Sequence, residues 1–117
     1  MIGLIPLDIY NLEIAVFDDE DERQSVALGE GCIDPVGFNR EAIAACYRDV
    51  TESGAPRFSL VIKPHAGMST WAHECSHMAD MICDYLDMPI SLKATEVRAY
   101  LVGYIFGCLQ DLMGSEG

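Results

Sequence analysis

One stretch of the chain decides the fold: RFSLVIKPHAGMSTWAHECSHMADMICDYL, residues 57–86. Its first part, Arg57–Lys63, alternates apolar and polar residues, and this period of two predicts a strand. A helix follows, which either Ser69 or Thr70 can cap and which runs to about Leu86. The stretch therefore predicts a buried strand joined by a short loop to an amphipathic helix.

The segments on either side complete an α+β pattern. We expect a strand over Leu7–Phe17, a weaker strand over Arg23–Leu28 and a helix over Asn39–Val50. A last helix, capped by Thr95, runs to about Met113. A chain of 117 residues suits one domain, residues 1–117. We therefore predict a small sheet of three or four strands with three helices packed on one side, the 69–86 helix being the second.

The charge balance limits the partners of this protein. Lys and Arg number 7 against 19 Asp and Glu, a formal net charge of −12, which disfavours nucleic acid and anionic membranes and favours a basic partner. Five consecutive acidic residues, Asp18–Glu22, predict a solvated turn or loop. No apolar run is long enough to cross a bilayer, Met1–Tyr10 lacks the features of a signal peptide, and the five cysteines suit reduced thiols. These features predict a cytoplasmic protein.

The most informative motif is HECSH, residues 73–77, an example of HExxH. On a helix, His73 and His77 lie one turn apart on one face, so both imidazoles can reach one metal ion. Glu74 can then direct its carboxylate at a water bound to that ion. A helical wheel puts both histidines on a polar face with Asp80 and Asp84, opposite an apolar stripe. Histidines of no functional importance are the alternative interpretation.

A hydrolytic zinc needs a third protein ligand, and Glu96 is the leading candidate. It opens the last helix and shares one side of it with Tyr100, Gly103 and Gly107. Two glycines four apart would let this helix approach the metal helix closely. Alternatively, Glu96 only complements the helix dipole. Arg98 faces away from Glu96 and is expected to be a surface charge.

HExxH, a spacer of 18 residues and a Glu carried by a helix resemble the gluzincin family of zinc metallopeptidases. More closely, STWAHECSHMAD and TEVRAYLVGYIFG resemble small phage and prophage proteins regarded as metallopeptidases, a similarity over Phe58–Leu109. The resemblance implies a minimal zincin-like domain. It also implies that His73, His77 and Glu96 bind Zn²⁺ and that Glu74 is the catalytic base.

One position departs from that family, and other candidates are less specific. Thermolysin-like enzymes have an Asp where this chain has Tyr100, which leaves Asp80 or Asp84 to orient an imidazole. Tyr100 could instead donate to a developing oxyanion or lie at the edge of the core, and the same holds for Tyr104. His65 could stabilise an oxyanion, bind a substrate carbonyl or be an exposed loop residue.

Two classes of function follow. In the first, the chain is a zinc-dependent hydrolase, a metallopeptidase whose acidic surface favours basic peptide or protein substrates. The strand Phe58–Ile62, if it is the edge of the sheet, could align an extended peptide. In the second, the chain is an acidic phage-type binding or inhibitor protein whose zinc site is structural or vestigial. If phage-encoded, either protein would act in the host cytoplasm, and a metal-free helical domain is a third possibility.

Overall fold

The computed structural model describes residues 1–35, 42–88 and 91–114, and of residues 92–94 it describes the backbone alone. Within these ranges a four-stranded sheet combines with three α-helices, which confirms the α+β class. No helix in the described ranges is long and apolar enough to span a membrane. The elements are β1 (Gly3–Leu7), a 3-10 turn (Asp8–Tyr10), β2 (Leu12–Phe17), α1 (Glu20–Gly29), β3 (Ala44–Val50), β4 (Pro56–Ile62), α2 (Met68–Tyr85) and α3 (Leu92–Gly114).

The strands lie in the order β1-β2-β4-β3. β1 and β2 are antiparallel, β2 and β4 are parallel with Ile14 opposite Phe58, and β3 and β4 are antiparallel with Cys46 opposite Leu60. β4 is therefore an inner strand, and its last five residues, 58–62, are all buried. The expectation that Phe58–Ile62 forms the sheet edge is wrong, because β3 covers that edge.

Helices cover both faces of the sheet. α2 and α3 pack on one face, where burial of each large aliphatic side chain stabilises the fold by about 1.5–3 kcal/mol. α1 packs on the other face against a second apolar cluster. The prediction that all three helices lie on one side is thus wrong. The buried residues of the first face include Ile5, Ile14, Val16, Leu60, Ile62, Cys75, Met78, Ile82, Leu101, Ile105 and Leu109.

The decisive stretch folds as predicted, apart from its caps. β4 and α2 confirm the strand and the helix within two residues at each end. The residue at the N-cap of α2 is Gly67, which has no side chain to bond, so neither Ser69 nor Thr70 is the cap. Thr95 lies inside α3, where its Oγ1 donates to the carbonyl of Ser91, so the predicted cap of the last helix is also wrong.

The helix predicted over Asn39–Val50 is wrong. Ala44–Val50 is the strand β3, and residues 36–41 lie outside the described ranges. Alternate residues of β3 face opposite sides of the sheet, with Tyr47 in the α1 cluster and Cys46 against α2. The apolar residues also fit a helical spacing, but hydrogen bonding of the whole segment to β4 selects the extended form.

The solvated turn predicted for the acidic run is confined to Asp18 and Asp19, which are exposed, whereas Glu20–Glu22 are helical; Arg23–Leu28 does not form a strand. Both differences arise because α1 spans Glu20–Gly29. Asp19 is its N-cap and accepts a hydrogen bond from the backbone N–H of Glu22, while further carboxylates in the first turn complement the positive end of the helix dipole. Glu20 is buried in an ion pair with Arg23.

The strand predicted over Leu7–Phe17 is confirmed only from Leu12 onward. A 3-10 turn over Asp8–Tyr10 reverses the chain, and Asn11 takes a left-handed conformation with φ of 54°, which Asn tolerates better than most residues. The residues before the turn form β1, the edge strand that the sequence did not predict.

Candidate functional site

The site is built on α2, which lies over β3 and β4 with α3 at its other side. Cys75, Met78 and Ile82 are fully buried, so this face fixes the rotation of the helix. His73 and His77 are consequently exposed on the opposite side, together with Asp80 and Asp84. The predicted division of α2 into an apolar and a polar face is confirmed.

The two imidazoles converge. Nε2 of His73 and Nε2 of His77 lie 3.0 Å apart, and the ring planes are inclined by 82°. Two nitrogens bound to one tetrahedral zinc at about 2.05 Å would lie about 3.3 Å apart. The two rings are thus joined by a hydrogen bond, and their separation lies within a few tenths of an ångström of the one that a shared ion requires.

Glu74 lies beside this pair but points toward the sheet. The residue is only 9% exposed, and its Oε2 accepts a hydrogen bond from Sγ of Cys46 on β3 at 3.0 Å. The same thiol also lies 3.1 Å from the main-chain oxygen of Glu74. Between α2 and β3 there is a depression of about 390 Å³, lined by Ala44, Ala45, Cys46, Glu74, His77, Asp80 and Met81.

Asp80, on the rim of the depression, is held by α3. Arg98 donates from Nε and Nη2 to its carboxylate and from Nη2 to Oγ of Ser76. These hydrogen bonds hold the pKa of Asp80 below its usual range, and the nearby His77 acts in the same direction. Arg98 faces away from Glu96 as predicted, but it is more than a surface charge because it joins α3 to α2.

The structure does not bring Glu96 to the histidines. Glu96 is exposed. Arg98, which bonds to Asp80 of α2, is two positions further along α3, and two helical steps rotate the side-chain direction by about 200°. Glu96 therefore points away from α2. Among the residues that the structure describes, no three His, Cys, Asp or Glu side chains are grouped to hold a metal ion. The donor set therefore fits zinc in its two imidazoles, while no third protein ligand is in place in the described part of the chain.

The lengths of the helices explain this displacement. α2 and α3 are antiparallel, since Arg98 meets Asp80 whereas the later Phe106 meets the earlier Trp71. From His77 to the end of α2 at Tyr85 the helix rises about 12 Å. From the start of α3 at Leu92 to Glu96 the rise is only about 6 Å, so Glu96 does not reach back along α2 as far as His77. Glu96 is consequently level with a part of α2 that lies beyond the histidines.

The predicted role of the two glycines is also wrong. A Cβ atom built on Gly103 or on Gly107 would meet nothing within 4 Å, so neither glycine allows a close helix contact. The face of α3 that packs consists of Leu101, Ile105 and Leu109. The Glu96 side of α3 therefore faces away from α2.

Tyr100, Tyr104 and His65 take no part in this group. Tyr100 is 70% exposed and stacks on Tyr104, with the ring centroids 6.4 Å apart. Tyr104 donates to the carbonyl of Pro6 at 2.6 Å, which puts both tyrosines near β1, at the opposite edge of the sheet from β3. His65 is exposed in the turn between β4 and α2, and no hydrogen bond described in the structure connects it to His73 or His77.

The contact that sequence reasoning missed is the one between Cys46 and Glu74. Cys46 lies in the segment predicted as a helix over Asn39–Val50, and a period of two is the signal that would place it on a strand. Ala45, Tyr47 and Asp49 are buried toward α1, while Cys46 and Arg48 face α2. That alternation puts Cys46 on the strand face that meets the HExxH helix.

The fold and the site together define an α+β protein that presents an HExxH motif on a helix beside an edge strand. Comparisons with models of protein families, with curated proteins and with solved structures found no match for this chain.

Proposed function

We propose that the protein is a zinc-dependent hydrolase of the metallopeptidase class with a zincin-like arrangement. The observation that carries the proposal is the convergence of His73 and His77, whose Nε2 atoms lie 3.0 Å apart. Neutral imidazole is a preferred zinc ligand, and the exposed position of both rings leaves room for further ligands. When bound, zinc would act as a Lewis acid and lower the pKa of a water.

In this proposal Glu74 is the general base. Its carboxylate is adjacent in sequence to the first histidine and lines the depression in which the scissile bond would lie. Glu74 would take a proton from the attacking water and deliver it to the leaving amine. The strand β3, at the edge of the described sheet, could pair with an extended peptide over the part that precedes Val50, whose carbonyl already accepts from the backbone N–H of Ile33. The formal net charge of −12 would favour a basic substrate.

The third ligand is part of the proposal. The family resemblance nominates Glu96, which would have to approach the histidines from the other side of α3. Besides Glu74, the proposed base, Asp80 is a carboxylate that lines the depression with His77, and to bind zinc it would have to leave its ion pair with Arg98. The zinc content of purified Glu96→Gln and Asp80→Asn proteins distinguishes these two candidate ligands. The substitution that removes the true ligand should lower the content below one zinc per chain, and the other should leave it unchanged.

The second candidate is an acidic binding or inhibitor protein with a structural or vestigial zinc site. The position of Glu96 outside the group favours it, because a vestigial site would keep the imidazoles and lose the third ligand. The acidic run favours it less, because Asp19, Glu20 and Glu22 already make contacts within the chain. This protein would bind zinc or no metal, and would hydrolyse no peptide.

The decisive experiment measures zinc and peptide hydrolysis on the same preparations. Glu74→Gln should bind zinc as the wild type does and lose about 10²–10⁴ in kcat, because general acid–base catalysis contributes that much. Glu13→Gln changes an exposed glutamate on β2 and serves as the control. Equal turnover by the wild type and Glu74→Gln would refute the mechanism. If His73→Ala and His77→Ala both keep their zinc, the proposed metal site is refuted.

A further inference from the structure

The edge strand β3 runs along the side of α2, and hydrogen bonds from two of its side chains, Cys46 and Arg48, join it to that helix. Cys46 meets Glu74, and two residues further along the same face Arg48 donates to Oδ2 of Asp84 at 2.9 Å. Two separate contacts fix the position of β3 relative to α2. Cys46 is therefore held opposite Glu74 by the sheet rather than by a loop.

The acceptor of the hydrogen bond from Cys46 is the carboxylate of Glu74, which is the general base in the proposed function. Sγ of Cys46 lies 3.0 Å from Oε2 of Glu74, within the range for a thiol donor. Burial, and then the hydrogen bond to this carboxylate, raise the pKa of the Cys46 thiol. The sulfur consequently keeps its proton at neutral pH and acts as the donor.

A glutamate side chain has three rotatable bonds, and Glu74 packs between α2 and β3 with only 9% of its surface exposed, so what it contacts there decides where its carboxylate points. The single proton of the Cys46 thiol has two acceptors in Glu74, the main-chain oxygen at 3.1 Å and Oε2 at 3.0 Å. When it is given to Oε2 it directs the carboxylate and leaves Oε1 as the oxygen through which a proton would be taken. A thiol is a weak donor, so it directs the carboxylate without adding a second charge to the depression.

We propose that Cys46 is a positioning residue, whose thiol holds the carboxylate of Glu74 at the depression that His77 also lines. This inference rests on the proposed function, in which Glu74 is the base. The hydrogen bond can nevertheless be tested without any substrate, so the two can fail separately.

The first test is infrared spectroscopy of the S–H stretch, which shifts to lower wavenumber when a thiol donates to a carboxylate. The Cys46 band is assigned by its loss in Cys46→Ala. We expect Glu74→Gln to move that band to higher wavenumber, since a neutral amide oxygen is the weaker acceptor. Cys83→Ala, which removes another half-buried thiol from α2, should leave it in place. A Cys46 band that does not move in Glu74→Gln would overturn the inference.

The second test is steady-state kinetics on zinc-loaded protein. Cys46→Ala should lower kcat about 2- to 10-fold with KM and zinc content unchanged, because one hydrogen bond of this kind is lost. Cys46→Ser should restore most of that loss, whereas Cys83→Ala should resemble the wild type. The positioning role is refuted if Cys46→Ala keeps full kcat, or if Cys46→Ser is no better than Cys46→Ala.

The two kinds of failure are distinguishable. If the wild type binds zinc and hydrolyses no peptide, the proposed function fails and the positioning role fails with it, while the infrared shift still reports the bond. If the wild type is active and Cys46→Ala is equally active, only the role of Cys46 fails. Thermal unfolding of each variant separates a positioning effect from lost packing, since a folded Cys46→Ala protein with lowered kcat supports positioning.

Discussion

Replacement of Arg23 by Met is expected to be among the most destabilising single changes in this protein. The guanidinium is 1% exposed and lies on the α1 side of the sheet. It donates from Nη2 to Glu20 at 2.9 Å and from Nη1 to Asp49 at 2.6 Å, and its Cζ lies 3.6 Å from the centre of the Tyr47 ring. Met fills a similar volume, so the change removes mainly the charge and its hydrogen bonds.

The expected loss of unfolding free energy follows from the two carboxylates that remain after the substitution. Without Arg23, two carboxylates that are 9% and 6% exposed remain together with no cation between them. Removal of one member of a buried ion pair costs about 3–5 kcal/mol, because the remaining charge is buried and uncompensated. The same substitution at Arg57, whose ion pair with Glu30 is about half exposed, is the matched control and should cost about 0–1 kcal/mol.

The cost of Arg23→Met should also depend on pH. Burial holds the pKa of Asp49 above its usual range, although Arg23 acts in the opposite direction. Because this folded-state pKa is raised, the contribution of Asp49 to stability is greatest at acidic pH and is lost as the pH rises through that value. Removal of Arg23 raises the pKa further, so the variant should lose less stability near pH 5 than at pH 7.

Urea unfolding followed by circular dichroism measures this difference for both variants at both pH values. The expected result is a large loss of unfolding free energy for Arg23→Met at pH 7, a smaller loss near pH 5, and little change for Arg57→Met at either pH. A loss below about 1 kcal/mol at pH 7 for Arg23→Met would refute the reasoning, because the buried carboxylates would then not need their cation.

Two further predictions concern helices. Gly103→Ala should raise the free energy of unfolding by about 0.5–1 kcal/mol, because the added Cβ meets nothing within 4 Å and Ala is the better helix former. Destabilisation in the same urea assay would show that another segment packs on that face. Asp19→Ala should lower the free energy of unfolding by about 1 kcal/mol through loss of the cap on α1. Asp21→Ala, two residues later in the first turn and not the cap, is the control and should have the smaller effect. Equal effects of the two aspartate changes would argue against capping.

The strand–helix unit was predictable because its signals are local. A period of two over Arg57–Lys63 and a period of 3.6 over the following helix arise from neighbours in sequence, and both elements are confirmed. The same local evidence failed for Ala44–Val50, whose apolar spacing fits both periods. There, hydrogen bonding with β4 decided the conformation, and no residue of β3 reports that pairing by itself.

The acidic run shows a second kind of failure. High charge density predicts exposure, yet Glu20 is buried because Arg23, one helical turn later, and Asp49, from a distant strand, complete a buried ion cluster. The helix is also stabilised by the carboxylates of its first turn, which a count of charges treats only as polar residues.

The sequence by itself determined that His73 and His77 would converge, because residues four apart on a helix are neighbours whatever the rest of the chain does. It also determined which side of α2 would be exposed, through the spacing of its apolar residues. Only the tertiary structure decided that Cys46 meets Glu74 and that Glu96 does not meet the histidines. Those outcomes depend on how far β3 and α3 are shifted along α2, and that shift is set by the packing of whole elements rather than by any local pattern.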